Sequence, residues 1–127
     1  MAKVETFEDL EVWQRSRFVV NQIYQLTNTK PFAKDYSLCD QLRRCAISTM
    51  SNIAEGFEKA SRREFAHYLD IAKGSNGEVR SQLYVARDLR YIDQKTFDEL
   101  KSTLMSLSRQ ISSLMKYLKQ NTQRKKI

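Results

Sequence analysis

The sequence predicts an all-α fold, an antiparallel up-down-up-down four-helix bundle in a single domain. Three observations predict it. The chain has 127 residues, the length of one domain with a core of its own. It contains only three Gly and one Pro, too few breakers for the many turns of an all-β fold. Four segments carry apolar residues in steps of three and four, and short polar stretches separate them. Short loops between long helices make sequence neighbours antiparallel.

Helix 1 is predicted over about 7–27, with Thr6 as its cap and Asp9 at the capping-box position. Glu8, Asp9 and Glu11 suit the positive end of its dipole. Asn28-Thr29-Lys30-Pro31 ends it, and a loop runs to about Ser37. Helix 2 spans about 38–58, from Leu38 to a stop at Gly56-Phe57. Ser61-Arg62-Arg63-Glu64 is a second capping box and opens helix 3, over 61–89. Gly74-Ser75-Asn76-Gly77 resembles a turn, yet the apolar register continues from Ala72 to Val79. An unbroken helix is therefore favoured over a split one, at about 1 kcal/mol per glycine. Asp93 caps helix 4, over 93–119, whose stripe is Phe97, Leu100, Leu104, Leu107, Ile111, Leu114 and Leu118. The basic tail 121–127 is expected to fray.

Helix 1 is more apolar than one core-facing stripe requires. Val12, Val19, Ile23 and Leu26 form one stripe, and Leu10, Trp13, Val20 and Tyr24 form a second. The second stripe is either deep core or a subunit interface.

The net charge of +7 is uneven. Residues 1–60 carry eight basic and eight acidic side chains, while 61–127 carry fourteen and seven. That asymmetry suits an anionic partner such as RNA or DNA, or else serves solubility. On helix 3, Lys73, Arg80 and Arg87 repeat every seven residues and project from nearly one side, with Tyr84 among them as a surface for base stacking. Lys116, Lys119, Arg124, Lys125 and Lys126 extend the basic character.

Helix 2 also carries a polar stripe. Arg44, Ser48, Ser51 and Glu55 share a face flanked by Gln41 and Asn52, while helix 3 offers Glu78 and Gln82. No nucleophile or metal set accompanies them, so a structural hydrogen-bond network is favoured over a general base. Arg44 is expected to pair with Glu78, and Asn52 with a helix backbone or Glu55. His67 stands without further ligands at metal-site spacing and reads as a surface residue. Cys39 and Cys45, six apart on one helix, are expected as reduced thiols. No catalytic, cofactor or metal residues are assigned, and an enzyme is not expected. No membrane span or signal-peptide core is present, so a cytoplasmic location is expected.

The residues also resemble a family. Phe7-Glu8-Asp9-Leu10-Glu11-Val12-Trp13, then Gln41-Leu42-Arg43-Arg44, Ser48 and Ser51-Asn52-Ile53-Ala54-Glu55-Gly56, are similar to proteins encoded by intervening sequences in bacterial 23S ribosomal RNA genes. Glu64-Phe65, Tyr68-Leu69, Ile71-Ala72, Gly74-Ser75, Glu78 and Gln82-Leu83 continue the likeness. Ser37 and Arg90 stand where that family usually has glycine, which bears on loop geometry. The resemblance implies a four-helix bundle that assembles as a homo-oligomer, a pentamer in ring form. It also implies distant kinship with the basic accessory ring of diversity-generating retroelements. It implies no agreed functional site. The first functional expectation is a non-enzymatic, oligomeric nucleic-acid binder with little base specificity. The second is a structural adaptor for a protein partner.

Overall fold

The computed structural model describes residues 3–120. Four helices form the expected up-down-up-down bundle: α1 (Glu11–Thr27), α2 (Tyr36–Phe57), α3 (Arg62–Asp88) and α4 (Gln94–Gln120). Each packs against the next, and α4 returns beside α1. The tightest seam joins α2 to α3, and the loosest joins α1 to α4. One core runs through the bundle, built from Ile23, Leu42, Ile53, Phe65, Leu69, Leu83, Leu104, Leu107 and Ile111, all fully buried. The helical period predicts these residues because each lies on the inward stripe of its helix.

The first helix starts later than expected. Glu5 and Thr6 donate their backbone N–H groups to the Asp9 carboxylate, and the chain closes a 3-10 turn, Phe7–Asp9. Leu10 is then extended, at φ −74° and ψ 127°, and only from Glu11 does the α-helix run. The break turns Leu10 into the core, where it is 4% exposed. For Leu10, that burial fits the deep-core alternative and not the interface one.

The loop after α1 is shorter than expected. Asp35, not a residue near Ser37, caps α2 by accepting the Leu38 N–H at 3.1 Å. Its other carboxylate oxygen accepts the Tyr91 hydroxyl at 3.0 Å, joining this cap to the loop before α4. Phe32 lies fully buried in a further 3-10 turn (Phe32–Lys34) and stacks on Tyr91 with ring centroids 5.0 Å apart.

α2 ends at Phe57, as the expected stop at Gly56-Phe57 has it. Gly56 lies in its last turn packed closely on α3, where an added Cβ would lie 2.6 Å from Tyr68 Cβ. The Gly74–Gly77 segment stays helical, as favoured. Asn76 helps to hold it by donating to the Leu104 carbonyl of α4 at 2.8 Å. Arg90 ends α3 at φ 62°, with Tyr91 N–H on Ala86 O and Arg90 N–H on Arg87 O. This is the paired-bond C-terminus that glycine normally closes. Asp93 caps α4 through the Thr96 N–H at 2.8 Å.

Candidate nucleic-acid interface

Opposite charges attract over a range set by exposure and ionic strength, so an anion site needs cations that no internal carboxylate has claimed. The seam between α3 and α4 supplies them. Lys73 from α3 and Lys116 and Lys119 from α4 line one open groove of about 400 Å³ with Ser112 and Met115. Antiparallel packing brings together residues more than forty positions apart. Among the described residues, none of these three lysines enters an ion pair. An adjoining groove of about 290 Å³ shares Asp70, Met115 and Lys119 and adds Arg63 and His67. The two grooves form a trough with four cationic side chains against one carboxylate, Asp70.

The other end of the basic strip is differently placed. Arg87 reaches Asp88 at 3.1 Å, and its guanidinium sits 4.7 Å from the Phe97 ring and 5.0 Å from the Tyr84 ring. Tyr84 packs edge-on to Phe97 at 4.8 Å, with Lys101 on the ring at 5.7 Å. Both residues are thus set into the α3–α4 packing. Tyr84, offered as a surface for base stacking, and Arg87 are half-buried and already have ring partners within the chain. Arg80 lies between the two ends and is half-buried. Arg124, Lys125 and Lys126 lie outside the described residues.

One edge of the α2 polar stripe, Gln41 and Ser48, is hydrogen-bonded to α3, while Arg44, Ser51 and Glu55 are exposed. Ser48 and Ser75 share a bond of 2.9 Å across the seam. Asn52 donates to the Ser48 carbonyl at 2.8 Å and to its hydroxyl at 3.1 Å. Gln82 donates to Gln41 at 3.3 Å. Cys45 stands at the centre, its Sγ donating to Glu78 at 3.6 Å and accepting from Gln82 at 3.7 Å. Burial, and then the Glu78 carboxylate, push this thiol above the usual range. Two members of the expected network stand elsewhere. Arg44 pairs with Asp40 on its own helix at 2.9 Å, not with Glu78, because that partner one turn back is nearer and solvated. Glu55 is exposed. Cys39 and Cys45 are both free thiols. Among the described residues, no group of three or more His, Cys, Asp and Glu could hold a metal ion.

The second stripe of α1 is largely claimed as well. Trp13 packs on Phe7 with centroids 5.1 Å apart, and Arg43 lies 4.6 Å over the Tyr24 ring. Arg43 also donates to Thr27 Oγ1 at 2.9 Å and Asn28 Oδ1 at 3.1 Å, tying α2 to the carbonyl end of α1. Val20 is half-buried. Tyr24 is still exposed despite Arg43, and the most exposed large apolar residue of α1 is Phe18, at 51%, on the side facing α4. Sequence reading missed it because Phe18 belongs to neither stripe.

Comparison with known proteins decides the family. The 23S rRNA-intervening sequence protein family matches residues 8–113. The chain belongs to that family. A solved structure from Bacteroides thetaiotaomicron VPI-5482, described as a protein with unknown function from the S23 ribosomal protein family, is similar to this member. The two share 21% sequence identity and superpose with a TM-score of 0.75, over 83% of this chain and 98% of that one. At that identity the likeness shows the fold. A search of curated proteins finds no match. Among the described residues, no helix is long and apolar enough to cross a membrane.

Proposed function

We propose that this 23S rRNA-intervening sequence protein is a non-enzymatic homo-oligomer that binds RNA or DNA through the α3–α4 trough. One observation carries the reading: Lys73, Lys116 and Lys119 converge from two helices on one groove, and none of them enters an ion pair among the described residues. Lysines so placed neutralise backbone phosphates by charge and shape and read little base sequence. A ring assembly, such as a pentamer, would repeat the trough and multiply weak contacts.

The test is binding to structured RNA and to duplex DNA across a salt series. The Lys73→Glu, Lys116→Glu, Lys119→Glu variant is expected to lose binding. A Lys30→Glu, Lys34→Glu control on the opposite loop is expected to keep most of it. Absence of binding at low salt, or equal loss in both variants, overturns the reading.

A protein adaptor is the second reading. Phe18, with Leu26 and Leu100, lines a groove of about 220 Å³ between α1 and α4 that suits a partner's apolar side chain. Binding of a protein that Phe18→Glu abolishes, without salt-dependent nucleic-acid binding, would favour it.

A further inference from the structure

The loosest seam of the bundle holds a second kind of site. Between the start of α1 and the second half of α4 lies a groove of about 440 Å³, within the size range of small-molecule sites. Its apolar walls are Val4, Leu10, Val12 and Leu114. Two polar side chains, Gln110 and Arg109, are among its lining residues. Gln110 Oε1 is buried without a hydrogen-bond partner, while its Nε2 holds Glu11 by a long 3.3 Å bond. Arg109 lines the same groove, is exposed, and enters no ion pair among the described residues. The negative charge of Glu11 is already engaged by Arg15 at 3.5 Å.

A buried acceptor left unmade is costly, and a ligand that supplies the donor gains what the protein alone forgoes. A ligand matched to this groove therefore has an aliphatic body, an N–H donor beside it and an anionic end. We propose that the α1–α4 groove binds a medium-chain N-acyl amino acid. The acyl chain lies on Leu10, Val12 and Leu114. Rotation of the Gln110 amide, which gives up its long bond to Glu11, brings Oε1 to the ligand N–H, and the ligand carboxylate pairs with Arg109. This site opens between α1 and α4 and shares no lining residue with the lysine trough between α3 and α4.

The probe is N-decanoylglycine, titrated below its micelle concentration into the full chain, with amide shifts of α1 and α4 followed by NMR. Saturable one-site binding is expected. Decanoate, which lacks the N–H, and N-decylacetamide, which lacks the carboxylate, are each expected to bind roughly tenfold more weakly. Arg109→Gln is expected to weaken N-decanoylglycine by roughly tenfold and leave N-decylacetamide unchanged. Gln110→Leu is expected to erase the preference for N-decanoylglycine over decanoate. Thermal melts check that each variant is folded, and the exposed Arg109→Gln change carries the test if Gln110→Leu is not. No saturable binding, equal affinity for the three compounds, or indifference to Arg109→Gln overturns the proposal.

Discussion

At Gly56 a methyl group would lie 2.6 Å from Tyr68 Cβ and 3.2 Å from the Phe65 carbonyl oxygen, so α2 and α3 would have to part. Gly56→Ala is therefore expected to destabilise the chain by about 1–3 kcal/mol, despite alanine's better helix propensity. At Gly74 and Gly77 an added Cβ meets nothing within 4 Å. There the propensity gain stands alone, and each alanine is expected to add about 1 kcal/mol. Arg90 is the converse case. It holds φ 62° at the end of α3, a conformation costing a side-chain-bearing residue roughly 1–2 kcal/mol that glycine escapes. Arg90→Gly is expected to recover about 1 kcal/mol of that, a little less than the full cost because glycine is freer when unfolded. Urea unfolding of the four variants checks all four signs. A stabilised Gly56→Ala or a destabilised Arg90→Gly would contradict the packing described.

Among the elements, α2 and α3 show how far residue spacing reaches. Periodicity names the inward stripes because burial repeats with the turn of the helix, so Leu42, Ile53, Leu69 and Leu83 are legible in advance. It also places Gln41, Ser48, Asn52, Glu78 and Gln82 on facing sides. It does not say which atoms meet, since several partners lie within reach of each long side chain. Arg44 turning to Asp40, and Cys45 entering the network, were thus beyond it. The 3-10 turns were illegible for another reason: three residues carry no period, so the burial of Phe32 and the break at Leu10 left no pattern. The trough was half legible. Lys73, Lys116 and Lys119 were each visible as basic, but their convergence depends on how α4 lies along α3. Arg87 shares the heptad of Lys73, but it lies about 21 Å further along α3, where it packs on Phe97.

The α2–α3 network also carries a pH dependence. Both Cys45 and Cys39 are pushed above the usual thiol range, chiefly by burial, and for Cys45 the Glu78 carboxylate adds to it. A thiol whose folded value is raised contributes stability fully below its unfolded value, about pH 8.5, and loses it as pH rises through the folded value. Stability is therefore expected to fall on the alkaline side, and Cys45→Ala to reduce that fall. Glu78→Gln removes a charge that opposes the thiolate. It is expected to speed alkylation of Cys45 by iodoacetamide at pH 8 while leaving Cys39 unchanged. Mass spectrometry of the two cysteine peptides reads both rates, and equal acceleration at Cys39 would mean general loosening rather than a local charge effect.

For the whole molecule, the decisive quantity is how many phosphates one binding event neutralises. Nucleic-acid affinity falls with salt at a slope of about 0.9 per phosphate contacted on duplex DNA. One trough offers Lys73, Lys116 and Lys119 in its first groove and Arg63 beside them. A single chain is thus expected to show a log–log slope of roughly −3 to −4. If the protein binds as a ring, several troughs meet one nucleic acid, and the slope is expected to steepen with the number engaged. Light scattering on the same samples gives the number of chains present, so slope and mass can be compared directly. An oligomer with a slope near −3 would mean that its troughs act singly, each on its own strand. A monomer with a far steeper slope would mean that cations outside the α3–α4 seam dominate, and the assignment of the trough would then fail even though nucleic acid is bound.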